Sequence, residues 1–408
     1  MRKRILVITH AGGSPFHGPN MRWYYLGLAL KPLGVDVEIV SSSSFHKYIS
    51  PPRVEAALET CDVGPLKYHW IKTRPYSARG VAQVINQIEF VLGCYRQQDL
   101  LRTRAYDVVL ASSPHPFVAY PALSLARKVG AEFFFEVRDL WPAVLLELTR
   151  FSRWHPYILA LKAAESFAVK HAKKILSVKP GDGDYFSAAY GIVADRVAYL
   201  PNGFLPGDDI GSIPAEIESL RKKYRILVGY VGGVTAYYRL EDMVELASRC
   251  ADYEDIGFVI VGKGDRSEAV KDAVRSANLT NVHLVGAIDK QDVPAAIARF
   301  DICYVGLADL DIHRYGISCN KIYEYMHACK PILGSYWAGR DPVVEANCGF
   351  TARPGQYDTL AAKLRLLADD ENLRKEYGQR GRQYFDEYHD FQKVAEKLKD
   401  TVFPRVAV

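Results

Sequence analysis

Short runs rich in Val, Ile and Phe recur along the chain, each followed by a longer stretch with apolar residues at helical spacing. In the first half the runs are Arg4–Thr9, Val35–Ser41, Asp107–Ser112, Glu132–Val137, Lys174–Val178 and Val197–Leu200. Most are apolar at consecutive positions, as parallel strands covered on both faces are. Met21–Leu33 and Phe117–Val129 read as amphipathic helices between them, with Gly34 and Gly130 at the helix ends. The second half repeats the pattern. Ile226–Val231, Phe258–Val261, Val282–Val285, Ile302–Val305 and Pro331–Gly334 read as strands. Helices are predicted around Leu240–Cys250, Glu268–Ala277, Val293–Arg299 and Asn320–Ala328. After Arg353 the chain reads as helical and charged to its end, without a further strand. This alternation predicts an α/β protein with two Rossmann-like halves. The seam falls at Pro201-Asn202-Gly203-Phe204-Leu205-Pro206-Gly207, where breakers are dense.

Open α/β sheets bind ligands outside the carboxyl ends of their strands, so the loops after strands carry the candidate chemistry. The first is His10-Ala11-Gly12-Gly13-Ser14, ahead of a helix. Gly12 and Gly13 let backbone amides approach a phosphate or sugar, and a tight structural turn is the plainer reading. The second, Glu136-Val137-Arg138-Asp139-Leu140-Trp141-Pro142, places Arg138 beside Asp139 where a strand leaves the sheet. That pair suits a reacting sugar, or alternatively a buried ion pair tethering the loop. Gly232 and Gly233 after the first strand of the second half, and Gly262 and Gly264 after the next, again admit close approach. Arg239, at the following helix start, is within reach of a diphosphate. The most informative segment runs from Tyr315 to Met326. Its loop enters a helix at Ser318-Cys319-Asn320, so the first amides point at an anion. Lys321 adds a point charge for phosphate. Glu324 lies nearly one turn on, able to accept hydrogen bonds from ribose hydroxyls. The plainer reading is a capped helix with an exposed Lys and Glu.

Composition narrows this picture. Hydrophobic residues make up 49% and charged residues 24%, which is a globular composition, and 408 residues suit two domains. A formal net charge of +5 is too weak to argue for nucleic acid. Its distribution says more: Lys67, Lys72, Arg74, Arg79, Arg96, Arg102 and Arg104 interleave with Tyr68, Trp70, Tyr76, Phe90 and Tyr95. That mixture suits an anionic membrane interface or a polyprenyl-phosphate carrier, and a solvated helix face with core aromatics fits it as well. Seven scattered cysteines form no framework, which points to a reducing compartment and away from zinc. The apolar run after Met1-Arg2-Lys3-Arg4 is too short for a signal peptide, and no stretch is long and apolar enough to span a bilayer. A cytoplasmic protein, at the inner face of the membrane, is expected. Asp309-Leu310-Asp311 and Asp182-Gly183-Asp184 match a metal-holding DxD string that arises readily by chance. Asp182 and Asp184 read better as flanking a turn at a helix start, and no metal or other cofactor is expected.

These segments together resemble the retaining GT-B glycosyltransferases of family 4, in the branch that builds O-antigen and capsular polysaccharides. The markers are the early Gly-Gly loop, Glu136-Val137-Arg138-Asp139-Leu140-Trp141-Pro142, Pro201-Asn202-Gly203, and Asn320-Lys321-Ile322-Tyr323-Glu324-Tyr325-Met326. The resemblance implies facing domains with a cleft between them, an acceptor-binding domain over 1–200 and a nucleotide-sugar domain over 201–385. It also implies a C-terminal helix, 386–408, that crosses back to the first domain. The implied reaction moves a sugar from a nucleotide-sugar, UDP-linked in most of this branch, to a lipid-linked or saccharide acceptor. Glu324 matches the family's ribose-binding glutamate, whereas the glutamate that contacts the transferred sugar is replaced by Gly316. The family's diphosphate Arg and Lys fall at Gly233 and Tyr238, so Arg239 and Lys321 must supply the charge. Where many members have a His before the acid, Arg138 stands. A nucleotide-sugar epimerase of the same fold, or a non-catalytic partner in polysaccharide assembly, are the competing readings.

Overall fold

The computed structural model describes residues 2–77, 80–102, 104–203 and 211–404. The chain divides into two compact units, Met1–Asn202 with Phe391–Val408, and Gly203–Asp390. Arg79, and Phe204 to Gly207 of the seam, lie outside the described residues.

The first unit is built on an eight-stranded sheet ordered β3-β4-β2-β1-β5-β6-β7-β8. Its strands are β1 Lys3–Ile8, β2 Val35–Ser42, β3 Leu58–Val63, β4 Leu66–Ile71, β5 Val108–Ser112, β6 Glu132–Val137, β7 Ile175–Ser177 and β8 Val197–Tyr199. All pairs are parallel except the β3–β4 hairpin. Ile5 lies opposite Val37 on one side and Val108 on the other, so β1 is central and its Ile5–Ile8 run is fully covered. The β3–β4 hairpin is an addition to the predicted set. The final helix, Phe391–Val402, packs Phe391 against Tyr25 of the Arg22–Leu30 helix, and Lys399 donates to the Leu33 carbonyl. It buries Val394, Ala395 and Leu398 there, as its apolar stripe requires.

Of the aromatics expected at an anionic interface, Tyr68, Trp70, Tyr76 and Phe90 are instead buried in this unit. Tyr68 and Trp70 stack with ring centroids 5.0 Å apart, because they alternate on an inner face of β4. They are core, and only Tyr95 of that set is exposed.

The second unit holds a six-stranded parallel sheet ordered β11-β10-β9-β12-β13-β14. The strands are β9 Ile226–Val231, β10 Ile256–Val261, β11 Val282–Val285, β12 Ile302–Gly306, β13 Ile332–Ser335 and β14 Gly349–Ala352. The order reverses between β9 and β12, which marks the switch point where such sheets take ligands. Separate apolar clusters cover the two faces, one including Ile322, Tyr325 and Phe300, the other Met243, Leu246 and Leu364. Three helices, Tyr357–Asp369, Glu371–Tyr388 and then Phe391–Val402, follow β14.

Candidate functional site

The helix Asn320–His327 follows β12 and is held by its apolar side: Ile322, Tyr323, Tyr325 and Met326 are all buried. The Tyr325 hydroxyl accepts a 3.0 Å hydrogen bond from the Val231 amide, fastening this helix to the end of β9. Residues 321 and 324 therefore fall on the side away from that apolar packing. Lys321 is nevertheless only 7% exposed. Its Nζ donates to the Tyr230 hydroxyl at 3.2 Å and stands 3.2 Å from the centroid of the Tyr238 ring. A Cβ built on Gly232 would come within 3.1 Å of Lys321 Cε and 3.2 Å of Nζ. Gly232 and Lys321 thus meet across the switch point between β9 and β12.

Burial pulls the Lys321 ammonium below its ordinary value, against the opposing pull of Cys319 and Glu324. Glu324 is part-buried, and burial pushes its carboxyl up while Lys290 and Lys321 draw it down. Lys290, on the short turn after β11, was not singled out in the sequence. Nothing local marks it, since it joins Glu324 only through the folding of the sheet. The result is one carboxylate flanked by two cations, a place short of one negative charge. No side chain caps the Asn320 helix, whose N-cap residue is Cys319. Ser318 is part-buried and Asn320 exposed at this entry, where first-turn amides favour an anion.

Other expected donors are committed elsewhere. Arg239 donates twice to Asp242, at 2.9 and 3.0 Å, and this carboxylate pushes the guanidinium up. Asp242 is buried and also accepts Ser335 at 2.9 Å and Tyr357 at 3.0 Å, so Arg239 serves as its counter-charge. Arg239, expected at a diphosphate, is thus already paired within this unit. Gly262 and Gly264 serve close loop packing: Cβ atoms there would stand 1.8 Å from the Gly232 oxygen and 2.0 Å from the Val234 oxygen. They bring the β10 loop against the β9 loop and so position Gly232. Gly233 has room, with Thr235 Cγ2 3.6 Å from where a Cβ would lie. Gly316 does not have that freedom, since its φ of 101° lies where side-chain-bearing residues are rarely found.

In the first unit, Gly12 and Gly13 are buried and their amides are occupied, Gly12 by Ser41 Oγ at 2.8 Å and Gly13 by the Asn20 carbonyl at 3.3 Å. Both amides are thus already hydrogen-bonded within the unit. An ion pair is indeed buried near the second motif, but its members are Glu136 and Arg22. Glu136 is 0% exposed and accepts Arg22 Nε at 2.9 Å, Trp23 Nε1 at 2.7 Å and Ser112 Oγ at 2.6 Å. Burial acts to raise this carboxyl, yet Arg22 and Ser112 hold it below its ordinary value. Arg22 also donates to the Leu200 and Pro201 carbonyls, tying β6 to the end of β8. A carboxylate inside a parallel strand demands such a partner, which is the signal the sequence did carry. Arg138 is part-buried, with its Nη2 3.4 Å from Asn20 Oδ1, and burial pulls its guanidinium down. Asp139 is exposed.

His10 and His115 lie close together with ring centroids 4.9 Å apart, both pulled down by burial and therefore neutral at pH 7. Asp182 and Asp184 occupy the first turn of the Asp182–Tyr190 helix. Burial raises Asp182 to about 6 and Glu165 to about 8, where the Tyr185 and Tyr190 hydroxyls donate to Glu165. Among the described residues, no three His, Cys, Asp or Glu side chains gather as a metal centre would need.

Two family models match most of the chain between them. Residues 17–203 match the glycosyl transferase 4-like domain, and residues 213–384 match the glycosyl transferases group 1. A comparison with the curated proteins finds no match. Among solved structures the chain is similar to a sucrose-phosphate synthase from Thermosynechococcus elongatus, with a TM-score of 0.72 at 14% identity over 98% of both chains. It is similar to WaaG, a glycosyltransferase involved in lipopolysaccharide biosynthesis, at 0.67 and 16%, over 98% of this chain and 100% of that one. Anabaena HepE, in complex with UDP and glucose, matches at 0.67 and 15%, over 98% and 99%. With two parallel-sheet units of this topology, these matches make the chain a glycosyltransferase of the GT-B type.

Proposed function

We propose that the protein transfers a hexose, with retention, from a UDP-sugar to a lipid-linked or saccharide acceptor in surface polysaccharide biosynthesis, without a metal. The observation that carries this reading is the Lys321 ammonium, buried against Gly232 at the switch point and one turn from Glu324. A cation left there with few partners is stabilised by an arriving diphosphate. UDP as the nucleotide is supported by the neighbouring fold of HepE, whose structure holds UDP and glucose.

The chemistry follows from charge. Breaking the bond between the anomeric carbon and the phosphate oxygen leaves new negative charge on the diphosphate. Lys321, Lys290 and the first-turn amides at Ser318–Asn320 stabilise that charge as it develops. Glu324 accepts the ribose hydroxyls. The acceptor hydroxyl attacks from the leaving-group face and gives its proton to a departing phosphate oxygen, so no protein base is needed.

The test is a thermal-shift screen of UDP- and GDP-sugars, followed by transfer to a lipid-linked acceptor with the product anomer read by NMR. A UDP-sugar is expected to stabilise the wild type and not Glu324→Ala, and the product is expected to keep the donor's anomeric configuration. Full activity in Glu324→Ala, or no response of the wild type to any donor, would refute the assignment.

A further inference from the structure

Two tyrosines enclose Lys321, and the chain holds one of them far more firmly than the other. The Lys321 Nζ lies 4.7 Å from the Tyr230 ring centroid and 3.2 Å from that of Tyr238. Both distances fall inside the reach of about 6 Å over which a ring attracts a cation. Tyr230 belongs to β9 and is 0% exposed. Its hydroxyl donates to the Gly233 carbonyl at 2.7 Å, so its oxygen is left to accept Lys321 Nζ at 3.2 Å. These two bonds fix the tip of a ring whose body is already in the core, and they fix the ammonium beside Gly232.

Tyr238 ends the short turn Ala236–Tyr238 that follows β9, and the backbone of this turn is pinned. The Tyr238 amide donates to the Thr235 carbonyl at 3.0 Å, and the Tyr237 carbonyl accepts the Ala308 amide at 2.7 Å. The Tyr238 carbonyl comes so close to the end of β12 that a Cβ on Gly306 would stand 2.5 Å from it. The side chain is held differently. It is part-buried and packs against both apolar clusters of this unit without belonging to the core of either. Rotation about its own bonds therefore moves the ring and leaves the turn in place, whereas moving Tyr230 would unpack β9.

The Tyr238 ring also stands in the way of an anion. A phosphate oxygen bonded to an ammonium sits about 2.7–2.9 Å from the nitrogen. The ring takes up one side of Nζ, the Tyr230 hydroxyl a second, and Gly232 lies beside a third. We infer that Tyr238 is a displaceable cover on Lys321: its ring rests on the ammonium in the free protein and turns aside when the diphosphate of a nucleotide-sugar arrives, while Tyr230 stays as the positioning residue. The inference rests on the reading of Lys321 as a diphosphate ligand. Apparent affinity is lowered by the fraction of protein in which the ammonium is uncovered. A cation–π contact sets that factor at about two- to thirtyfold. The same factor falls on every anion. A lone phosphate meets it with one contact, whereas a nucleotide-sugar adds those of Glu324 and the first-turn amides, so the cover disfavours inorganic anions.

The experiment is calorimetry of UDP binding to the full chain carrying Tyr238→Ala, Lys321→Met or both, with far-UV circular dichroism as the check on folding. Tyr238→Ala is expected to bind UDP about two- to thirtyfold more tightly than the wild type. In the Lys321→Met background the same change is expected to bring no gain, because no ammonium is left to uncover. Tyr238→Phe keeps the ring and is expected to retain wild-type affinity. Tyr230→Phe removes a contact made with and without ligand, and is expected to change affinity less than Tyr238→Ala does. Should Tyr238→Ala not fold, Tyr238→Leu, which keeps the packing without the ring, is read in the same way. Unchanged or weaker binding in the ringless variant, beside a Lys321→Met variant that has lost affinity, overturns the cover and leaves the reading of Lys321 standing. A Lys321→Met variant that binds UDP as the wild type does overturns both. A gain in Tyr230→Phe equal to that in Tyr238→Ala also overturns the cover, because any loosening around the lysine would then suffice.

Discussion

Replacing Lys321 by Met separates a ligand-binding lysine from a structural one, because the two roles move stability and affinity in opposite directions. Without ligand, the Lys321 ammonium has the Tyr230 hydroxyl and the Tyr238 ring as neighbours, and its burial holds it below the ordinary lysine value of 10.5. Met keeps the length of the side chain and its packing on the rings. What is lost is a cation–π contact of roughly 0.5–2 kcal/mol, partly replaced by a sulfur–aromatic contact of about 0.3–1.5 kcal/mol. What is relieved is the cost of a poorly solvated charge. Free-protein stability is therefore expected to change by less than about 1 kcal/mol, with the balance toward gain. Affinity for UDP moves the other way. A lost charge-assisted contact is worth about 1.5–3 kcal/mol, or roughly ten- to a hundredfold in Kd. A proton gives a second readout. An arriving diphosphate favours the charged lysine, so wild-type binding takes up a proton wherever free Lys321 is neutral, and affinity falls as pH rises through that window toward 10.5. Calorimetry of UDP binding in buffers of different ionisation enthalpy detects that uptake, and the Met variant is expected to lack it. A variant that melts several degrees lower yet binds UDP as the wild type does would refute the reasoning and make Lys321 a structural residue.

Glu165 carries the pH dependence of the first unit. Its carboxyl is buried and raised to about 8 from an ordinary 4.5, so the folded state keeps a proton that the unfolded chain releases. Stability is expected to fall as pH rises between those two values, with a limiting slope of about 1.4 kcal/mol per pH unit, and to level off above them. Glu165→Gln is expected to flatten this profile in thermal melts, apart from an acidic-end slope from Asp182, and an unchanged profile would place the titration elsewhere. Among the glycines, Gly316→Ala is expected to cost about 1–3 kcal/mol because of its φ of 101°, whereas Gly233→Ala is expected to cost under about 1 kcal/mol. Urea denaturation of the two variants checks this, and equal losses would contradict the distinction.

The strands that run apolar at consecutive positions were legible because a parallel strand buried on both faces can hardly read otherwise. Glu132–Val137 and Ile226–Val231 have the bounds the sequence implied. The β3–β4 hairpin was not legible, since Leu58–Val63 exposes Glu59, Thr60, Cys61 and Asp62 and reads as a loop. Lys321 and Glu324 were legible from a loop entering a helix. Their partners were not: Tyr230 and Tyr238 come from β9 and the turn after it, Lys290 from the turn after β11, and only the folded sheet brings these to the Asn320 helix. The pairing of Arg239 was not legible either, because Asp242 three residues on is buried only through the folding of the sheet. The helix Val81–Arg96 shows the limit of periodicity: apolar residues occur on both its sides, Phe90 and Cys94 buried and Ile88 and Leu92 exposed, so spacing alone does not say which side is inside.

Two of the departures from the family pattern, Gly233 and Gly316, differ in kind, and the difference bears on what the site selects. At position 233 the backbone accepts a side chain and the space beside it is open, so the missing arginine is a loss of charge alone. Lys321 reaches the adjacent Gly232, and on the proposed reading its ammonium, with Lys290 beyond Glu324, covers that loss. At position 316 the backbone itself has turned to a φ of 101° and ψ of 174°, so a glutamate placed there is strained before it touches anything. Putting the carboxylate back would require the loop from Asp311 to Cys319 to be rebuilt. A diphosphate needs only positive charge close by, which several side chains can provide. A particular sugar hydroxyl needs an acceptor at one place and angle, so the changed loop bears on the choice of sugar more than on the grip on the nucleotide.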